Sequence, residues 1–169
     1  RMANETIWSC AKNGYFKTLK KLLQKNGMRD IDKRQPEKGY TAIQFASAFG
    51  HLDIVKYLIE KGANVNIQDD DGDSPLHDAC FMGQLEAVKY LVEHQANVTA
   101  TNKRNETPLD RAEGRANHDV AKYIRSTPAA KNLLWRKWRK VIVTVAVILV
   151  LAVVWIVPKV QSLREEINL

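Results

Sequence analysis

The sequence has little cysteine and little histidine, and these residues are not grouped. Its two cysteines, Cys10 and Cys80, provide neither a disulfide framework nor a paired metal-ligand spacing, and its four histidines occur singly. There is no glycine-rich phosphate-binding loop, no pair of catalytic acids and no nucleophile elbow. The sequence therefore predicts a protein that is not an enzyme, has no metal or cofactor, and works in a reducing compartment.

Most of the chain also lacks an excess of charge of either sign. The formal net charge is +7, but residues 1–128 carry 19 Lys/Arg against 17 Asp/Glu, whereas residues 129–169 carry 7 against 2. A nucleic-acid-binding domain has its basic surface on the folded domain. We therefore expect no nucleic-acid partner. The first residues have no charged-then-apolar run, which argues against a secretory signal.

What the sequence does contain is a repeat. The segments 39–46, 72–79 and 105–112 align at intervals of 33 residues, and a degenerate earlier unit is visible in Ala11-Lys12-Asn13-Gly14 and in Leu19, Leu22 and Leu23. Within each unit, Thr-Pro-Leu or its equivalent is typical of a helix start. Gly50 and Gly83 stand where that helix must end in a left-handed turn. The second helix then has an apolar spacing that predicts one buried face, including Leu58, Val88 and Leu91.

These residues carry a family resemblance. The chain resembles the ankyrin-repeat family in Gly39 and Gly72, in Ser74-Pro75-Leu76-His77, in Gly50-His51, and in Gly62-Ala63-Asn64-Val65-Asn66. The resemblance implies an all-α solenoid over residues 3–127, with about four helix-pair units at 3–35, 36–68, 69–101 and 102–127. It also implies that His51 and His77 form hydrogen bonds between repeats. The end units depart from the pattern, with Asn105 and Ala116 in place of glycines, as expected of terminal repeats.

The resemblance also implies where a partner binds. Ankyrin domains bind proteins in a concave groove lined by the turn tips and the exposed sides of the first helices. In this sequence the corresponding positions are Tyr40, Phe49, Asp70, Asp71, Asp73, Phe81, Met82, Arg104 and Arg115. Three of them are large apolar residues that the core does not need, and together they predict a binding patch. The alternative is that the tail or a neighbouring subunit covers this patch.

The tail predicts a membrane anchor. Residues 141–157 form an apolar run without charge, about 25 Å long as a helix, which is slightly short of the hydrocarbon core of about 30 Å. Segment 128–140 is a basic juxtamembrane stretch and 158–169 a short polar tail. The predicted membrane-interface residues are Trp135, Arg136, Lys137, Trp138, Arg139, Lys140 and Trp155. The basic residues within 131–140 either contact anionic headgroups or only set the topology.

The charge flanking the apolar run predicts the orientation. Under the positive-inside rule the repeats face the cytosol, at the endoplasmic reticulum or the mitochondrial outer membrane, or else the matrix if the membrane is the mitochondrial inner one. A protein ending at residue 169 would resemble tail-anchored proteins. The leading hypothesis is a membrane-tethered adaptor that recruits a partner protein. The alternatives are an accessory subunit of a larger membrane complex, with the helix packed laterally, and a fragment of a larger channel or acyltransferase.

Overall fold

The computed structural model describes residues 6–132, 138–139, 142–145 and 148. The chain divides into two compact units, one that extends to Ala130 and one that begins at Lys131. In chain order, the helices of the repeats are α1 (Ile7–Asn13), α2 (Phe16–Lys25), α3 (Ala42–Ala48), α4 (Leu52–Glu60), α5 (Pro75–Met82), α6 (Leu85–Glu93), α7 (Pro108–Glu113) and α8 (His118–Ser126). They form four consecutive pairs, and the prediction of an all-α repeat architecture is confirmed for these residues.

The first helix of each pair begins at a hydroxyl residue: Thr6, Thr41, Ser74 or Thr107. At α7, the Asp110 amide donates to Thr107 Oγ1 at 3.2 Å and the Thr107 amide donates to Asp110 Oδ2 at 2.8 Å. This reciprocal capping satisfies amide groups that the helix itself leaves without partners. Pro75 and Pro108 occupy the first helical turn, where no amide hydrogen is needed. The predicted helix starts follow from this local chemistry.

The turn between the helices of a pair requires a left-handed residue. Gly50 and Gly83 have φ angles of 72° and 73°, which confirms the sequence prediction. In the fourth pair Ala116 occupies the equivalent position with φ 57°. An alanine in this conformation is strained because its Cβ approaches the following carbonyl oxygen. The last repeat therefore keeps the turn geometry of the inner repeats at some cost in stability.

The helices stack in two layers. In one layer α1, α3, α5 and α7 pack in sequence, and in the other α4 packs on α6 and α6 on α8. Leu58, Val88 and Leu91 are fully buried, as predicted for the inner face of the second helices. One continuous hydrophobic core runs through all four pairs. Since a single pair is too small to bury its own apolar face, this stacking is what stabilises the unit.

The second unit is described at only a few positions. Among the residues described, no helix has the length and apolar character needed to span a bilayer. Within the predicted span 141–157, residues 141, 146–147 and 149–157 lie outside the described residues, so that prediction is untested over most of its length. Trp138 and Arg139 are exposed. The other predicted interface residues, Trp135, Arg136, Lys137, Lys140 and Trp155, also lie outside the described part of the chain.

Candidate partner-binding cleft

A cleft of about 230 Å³ lies along the first helices of the repeats. Four of the residues predicted to bind a partner line it together: Tyr40, Phe49, Phe81 and Met82. Six further residues complete its lining: Lys12, Gln44, Phe45, Ala48, Asp78 and Arg111. We refer to these ten residues as the cleft. The structure thus brings the predicted apolar patch into one concave site.

The 33-residue register explains which side chains reach the cleft. Phe45, Asp78 and Arg111 occupy the same position in consecutive repeats, as do Phe49, Met82 and Arg115. Phe45, Asp78 and Arg111 did not stand out in the sequence, since each suggests a different role when it is considered alone. Aligning the repeats and following this one position across them would have identified all three.

Aromatic rings and cations alternate along the cleft. Phe49 and Met82 are 42% and 44% exposed, and because both line the cleft beside Phe81 their apolar surfaces form one patch. The Lys12 ammonium lies 5.6 Å from the centre of the Phe49 ring. The Arg111 and Arg115 guanidinium carbons lie 4.1 and 4.0 Å from the centre of the Phe81 ring. These distances are typical of cation–π contacts, and they hold both aromatic side chains against charged neighbours.

The predicted acidic tip residues have different environments. Asp70 and Asp71 are exposed, and Asp70 accepts a hydrogen bond from Arg34 at 2.6 Å. Asp73 is buried: its carboxylate accepts from the Asn102 amide at 2.8 Å and pairs with Arg104 at 3.3 Å and Arg111 at 3.4 Å. The Asp73 carboxylate therefore serves internal contacts between repeats. Arg104 is half exposed and also bonds to Glu106 at 2.9 Å.

Three carboxyl groups meet behind the cleft. Oxygen atoms of Asp69, Asp73 and Asp78 all lie within 4.8 Å of one another, and all three residues are buried. Burial, followed by the nearby Asp69 and Asp73 charges, raises the pKa of Asp78 well above its ordinary value, and burial likewise raises the pKa of Asp69. Metal binding requires deprotonated ligands, and Asp73 is already paired with arginine. The cluster therefore fits internally paired and hydrogen-bonded carboxyl groups better than a metal site.

The same environment affects Tyr40. Burial, with a contribution from the Asp78 charge, raises the pKa of Tyr40 to about 12, so its hydroxyl stays protonated. The Tyr40 ring packs 5.2 Å from the Phe45 ring, centre to centre. Gln44 donates to Asp78 at 3.4 Å and to the Asp73 carbonyl at 2.9 Å. The base of the cleft is thus polar and hydrogen-bonded, and aromatic rings line it beside these groups.

Hydrogen bonds between repeats hold this surface in place. His77 Nε2 donates to the Glu106 carbonyl at 3.1 Å and His51 Nε2 to the Lys12 carbonyl at 2.9 Å, which confirms the expected role of both histidines. The Asn117 amide donates to the carbonyls of Cys80 and Phe81 at 2.8 and 2.9 Å. Phe81 is therefore fixed at its backbone by the following repeat. The cleft is a preformed surface, since repeat stacking itself positions its walls.

The comparison with known proteins agrees with this geometry. The family model described as ankyrin repeats (3 copies) matches residues 7–102 and 70–133, which together cover most of the chain. The protein belongs to the ankyrin-repeat family. Ankyrin repeats bind other proteins, so a protein–protein interaction role follows for this domain.

Individual relatives match shorter stretches. An ankyrin repeat-containing protein of Schizosaccharomyces pombe is 39% identical over 70 residues, which are 41% of this chain and 32% of that protein. Human ankyrin repeat domain-containing protein 39 is 41% identical over 63 residues, 37% of this chain and 32% of that protein. Mouse protein phosphatase 1 regulatory subunit 12A is 46% identical over 48 residues, 28% of this chain and 5% of that protein. The chain thus matches a third or less of each relative's length.

Proposed function

We propose that this protein is a membrane-anchored adaptor that holds a partner protein in the cleft of its repeats. The observation that carries the proposal is the exposed apolar surface of Phe49 and Met82 beside Phe81, at positions where the core requires no large side chain. Aromatic and methionine side chains in a preformed concave site are typical of the residues that contribute most to binding. One relative is by name a regulatory subunit of a phosphatase, which supports the idea of a non-catalytic binding partner.

The membrane part of the proposal rests on the sequence of the tail. Residues 141–157 contain no charged side chain, and basic residues crowd the segment before them. An anchor of this kind raises the local concentration of the cleft at one membrane, so a cleft of modest affinity would be sufficient for recruitment. The positive-inside rule places the repeats on the cytosolic side. An accessory subunit with a laterally packed helix is the second possibility that this tail allows.

The experiment that tests the proposal is recruitment to membranes by the full chain. We expect Phe49→Ala with Phe81→Ala to release the partner from membranes while the protein itself stays in the membrane fraction. Each aromatic residue at the centre of an interface contributes about 2 kcal/mol, so losing both should weaken binding by about a hundredfold or more. Deleting residues 141–157 should instead release the protein and its partner together.

Tyr15→Ala is the matched control. Tyr15 is 50% exposed, which makes it a comparable aromatic residue, and it lies outside the cleft. This variant should retain the partner. Retention of the partner by the double variant would contradict the role of the cleft, and would direct attention to residues 141–157 as a packing surface inside a membrane complex.

A further inference from the structure

The cleft has a size and a charge pattern that select among possible partners. Its volume of about 230 Å³ is below the range of about 300 to 1,000 Å³ that holds a small-molecule ligand, and it is open to solvent along the helices. A site of this size accepts one bulky side chain of an extended segment. The exposed surfaces of Phe49 and Met82 make an apolar or aromatic side chain the fitting one.

The cations in and beside the cleft are not equivalent: Lys12 and Arg111 line it, whereas Arg115 lies next to it against the Phe81 ring. Arg111 has two acidic partners, Asp73 at 3.4 Å and Glu106 at 3.7 Å, and its side chain is only 15% exposed. Lys12 and Arg115 are exposed, and in the described part of the chain no carboxylate forms an ion pair with either. Their contacts are with the Phe49 and Phe81 rings. Two positive charges therefore border the apolar surface without compensation.

The carboxyl group inside the cleft, that of Asp78, does not neutralise the charges of Lys12 and Arg115. Asp78 is buried and hydrogen-bonded to Gln44, and burial raises the pKa of its carboxyl group well above the ordinary value. Asp73 is occupied by two arginines and an asparagine. A cationic partner side chain would thus meet Lys12 and Arg115 at the rim and no available carboxylate in the cleft. An anionic partner side chain would instead form ion pairs with these two cations.

We propose that the cleft binds a linear segment in which a bulky apolar side chain is flanked by carboxylates. This inference rests on the proposed function, and it adds the chemistry of the partner. The apolar side chain occupies the space between Phe49, Phe81 and Met82, and the flanking carboxylates pair with Lys12 and Arg115. Both cations are already held against aromatic rings, so less side-chain freedom is lost when the ion pairs form.

The test uses capped tripeptides and the methyl signal of Met82. The chain has three methionines, so full-length protein labelled at the methionine methyl gives few signals, and Met82→Leu assigns the one in the cleft. The peptides are Glu-Phe-Glu, Gln-Phe-Gln, Lys-Phe-Lys and Glu-Ala-Glu. Glu-Phe-Glu should shift the Met82 signal at a concentration about tenfold lower than Gln-Phe-Gln. Lys-Phe-Lys and Glu-Ala-Glu should bind still more weakly than Gln-Phe-Gln.

Two matched variants isolate the charges. Lys12→Gln with Arg115→Gln should bring Glu-Phe-Glu and Gln-Phe-Gln to within about twofold of each other. Lys25→Gln with Lys122→Gln changes the net charge equally, at exposed positions on α2 and α8, and should preserve the tenfold preference. If the variant without the Lys12 and Arg115 charges still prefers Glu-Phe-Glu to Gln-Phe-Gln by about tenfold, the proposal is overturned.

The peptide series can also contradict the proposal in other ways. Equal binding of Lys-Phe-Lys, equal binding of Glu-Ala-Glu, or no shift of Met82 with any peptide would each overturn it. A different result would contradict the adaptor function, namely recruitment of the partner that does not depend on Phe49 and Phe81. If that recruitment depends on both residues but no acidic peptide is preferred, the cleft remains the binding site and only its charge selectivity is wrong.

Discussion

Replacing Gly83 by alanine should destabilise the domain through the next repeat as well as through its own backbone. Gly83 has φ 73°, and an added Cβ would lie 2.9 Å from Asn117 Oδ1 and 3.0 Å from Asn117 Cγ. To make room, the Asn117 side chain must shift, and we expect the shift to break its hydrogen bonds to the Cys80 and Phe81 carbonyls. The backbone strain costs about 1–2 kcal/mol and the two hydrogen bonds about 1 kcal/mol each. The expected loss is therefore about 3–4 kcal/mol.

Two other glycines separate the cost of backbone strain from the cost of the lost hydrogen bonds. Gly27 and Gly62 have φ angles of 57° and 91°, on either side of that of Gly83, and an added Cβ at either meets nothing within 4 Å. Alanine at these sites should therefore cost only the backbone strain, about 1–2 kcal/mol. The assay is chemical unfolding of the full chain followed by far-UV circular dichroism.

A double-mutant cycle completes the test. Asn117→Ala alone should cost about 2 kcal/mol, since two backbone carbonyls lose a donor. Gly83→Ala with Asn117→Ala should cost at least about 1 kcal/mol less than the sum of the single changes, because the added Cβ then displaces nothing. Additive costs would refute the claim that Gly83 and Asn117 form one inter-repeat contact.

The other predictions concern the core, the last turn and pH. Leu91→Ala should cost about 2–5 kcal/mol in unfolding free energy, because Leu91 is fully buried; an unchanged unfolding midpoint would contradict the assigned interface. Ala116→Gly should stabilise the chain by about 1 kcal/mol by relieving its φ of 57°, and a loss of stability would refute the strain. Because the folded pKa of Asp78 is raised, its stabilising contribution is complete below the ordinary pKa of 3.8 and is lost as pH rises through the folded pKa. Asp78→Asn should therefore flatten the decline in stability towards neutral pH, and an unchanged profile would argue against a buried proton there.

The fold was predictable because its signals are local and repeated. Thr-Pro-Leu, the turn glycines and the apolar spacing of the second helices each determine one short element, and the interval of 33 residues repeats them. The acidic tip was less predictable. A polar turn suggests solvent exposure, but Asp69 Oδ1 accepts from the amides of Asp71 and Asp73 at 2.9 Å each, and Asp73 is buried against the arginines of the last repeat.

The cleft was predictable only in part. Phe49, Phe81 and Met82 stood out because each is large and apolar at an outward position. The stacking of two arginines on Phe81 depends on the paths of long side chains, which no local pattern encodes. The raised pKa of Asp78 depends on packing by three repeats at once. Such properties arise from tertiary contacts, and the sequence indicates them only after its repeats are aligned.

The central claim, that a partner occupies the cleft, is tested most directly by photocrosslinking from inside it. The photoreactive amino acid p-benzoylphenylalanine would replace Met82 in one protein and Tyr15 in a matched protein, each as the full chain. Both side chains are exposed to a similar extent, 44% and 50%, but only Met82 lines the cleft. We predict one discrete partner adduct from position 82 that disappears with Phe49→Ala and Phe81→Ala, and none from position 15. The same adduct from both positions, or one that persists in the double variant, would contradict the account.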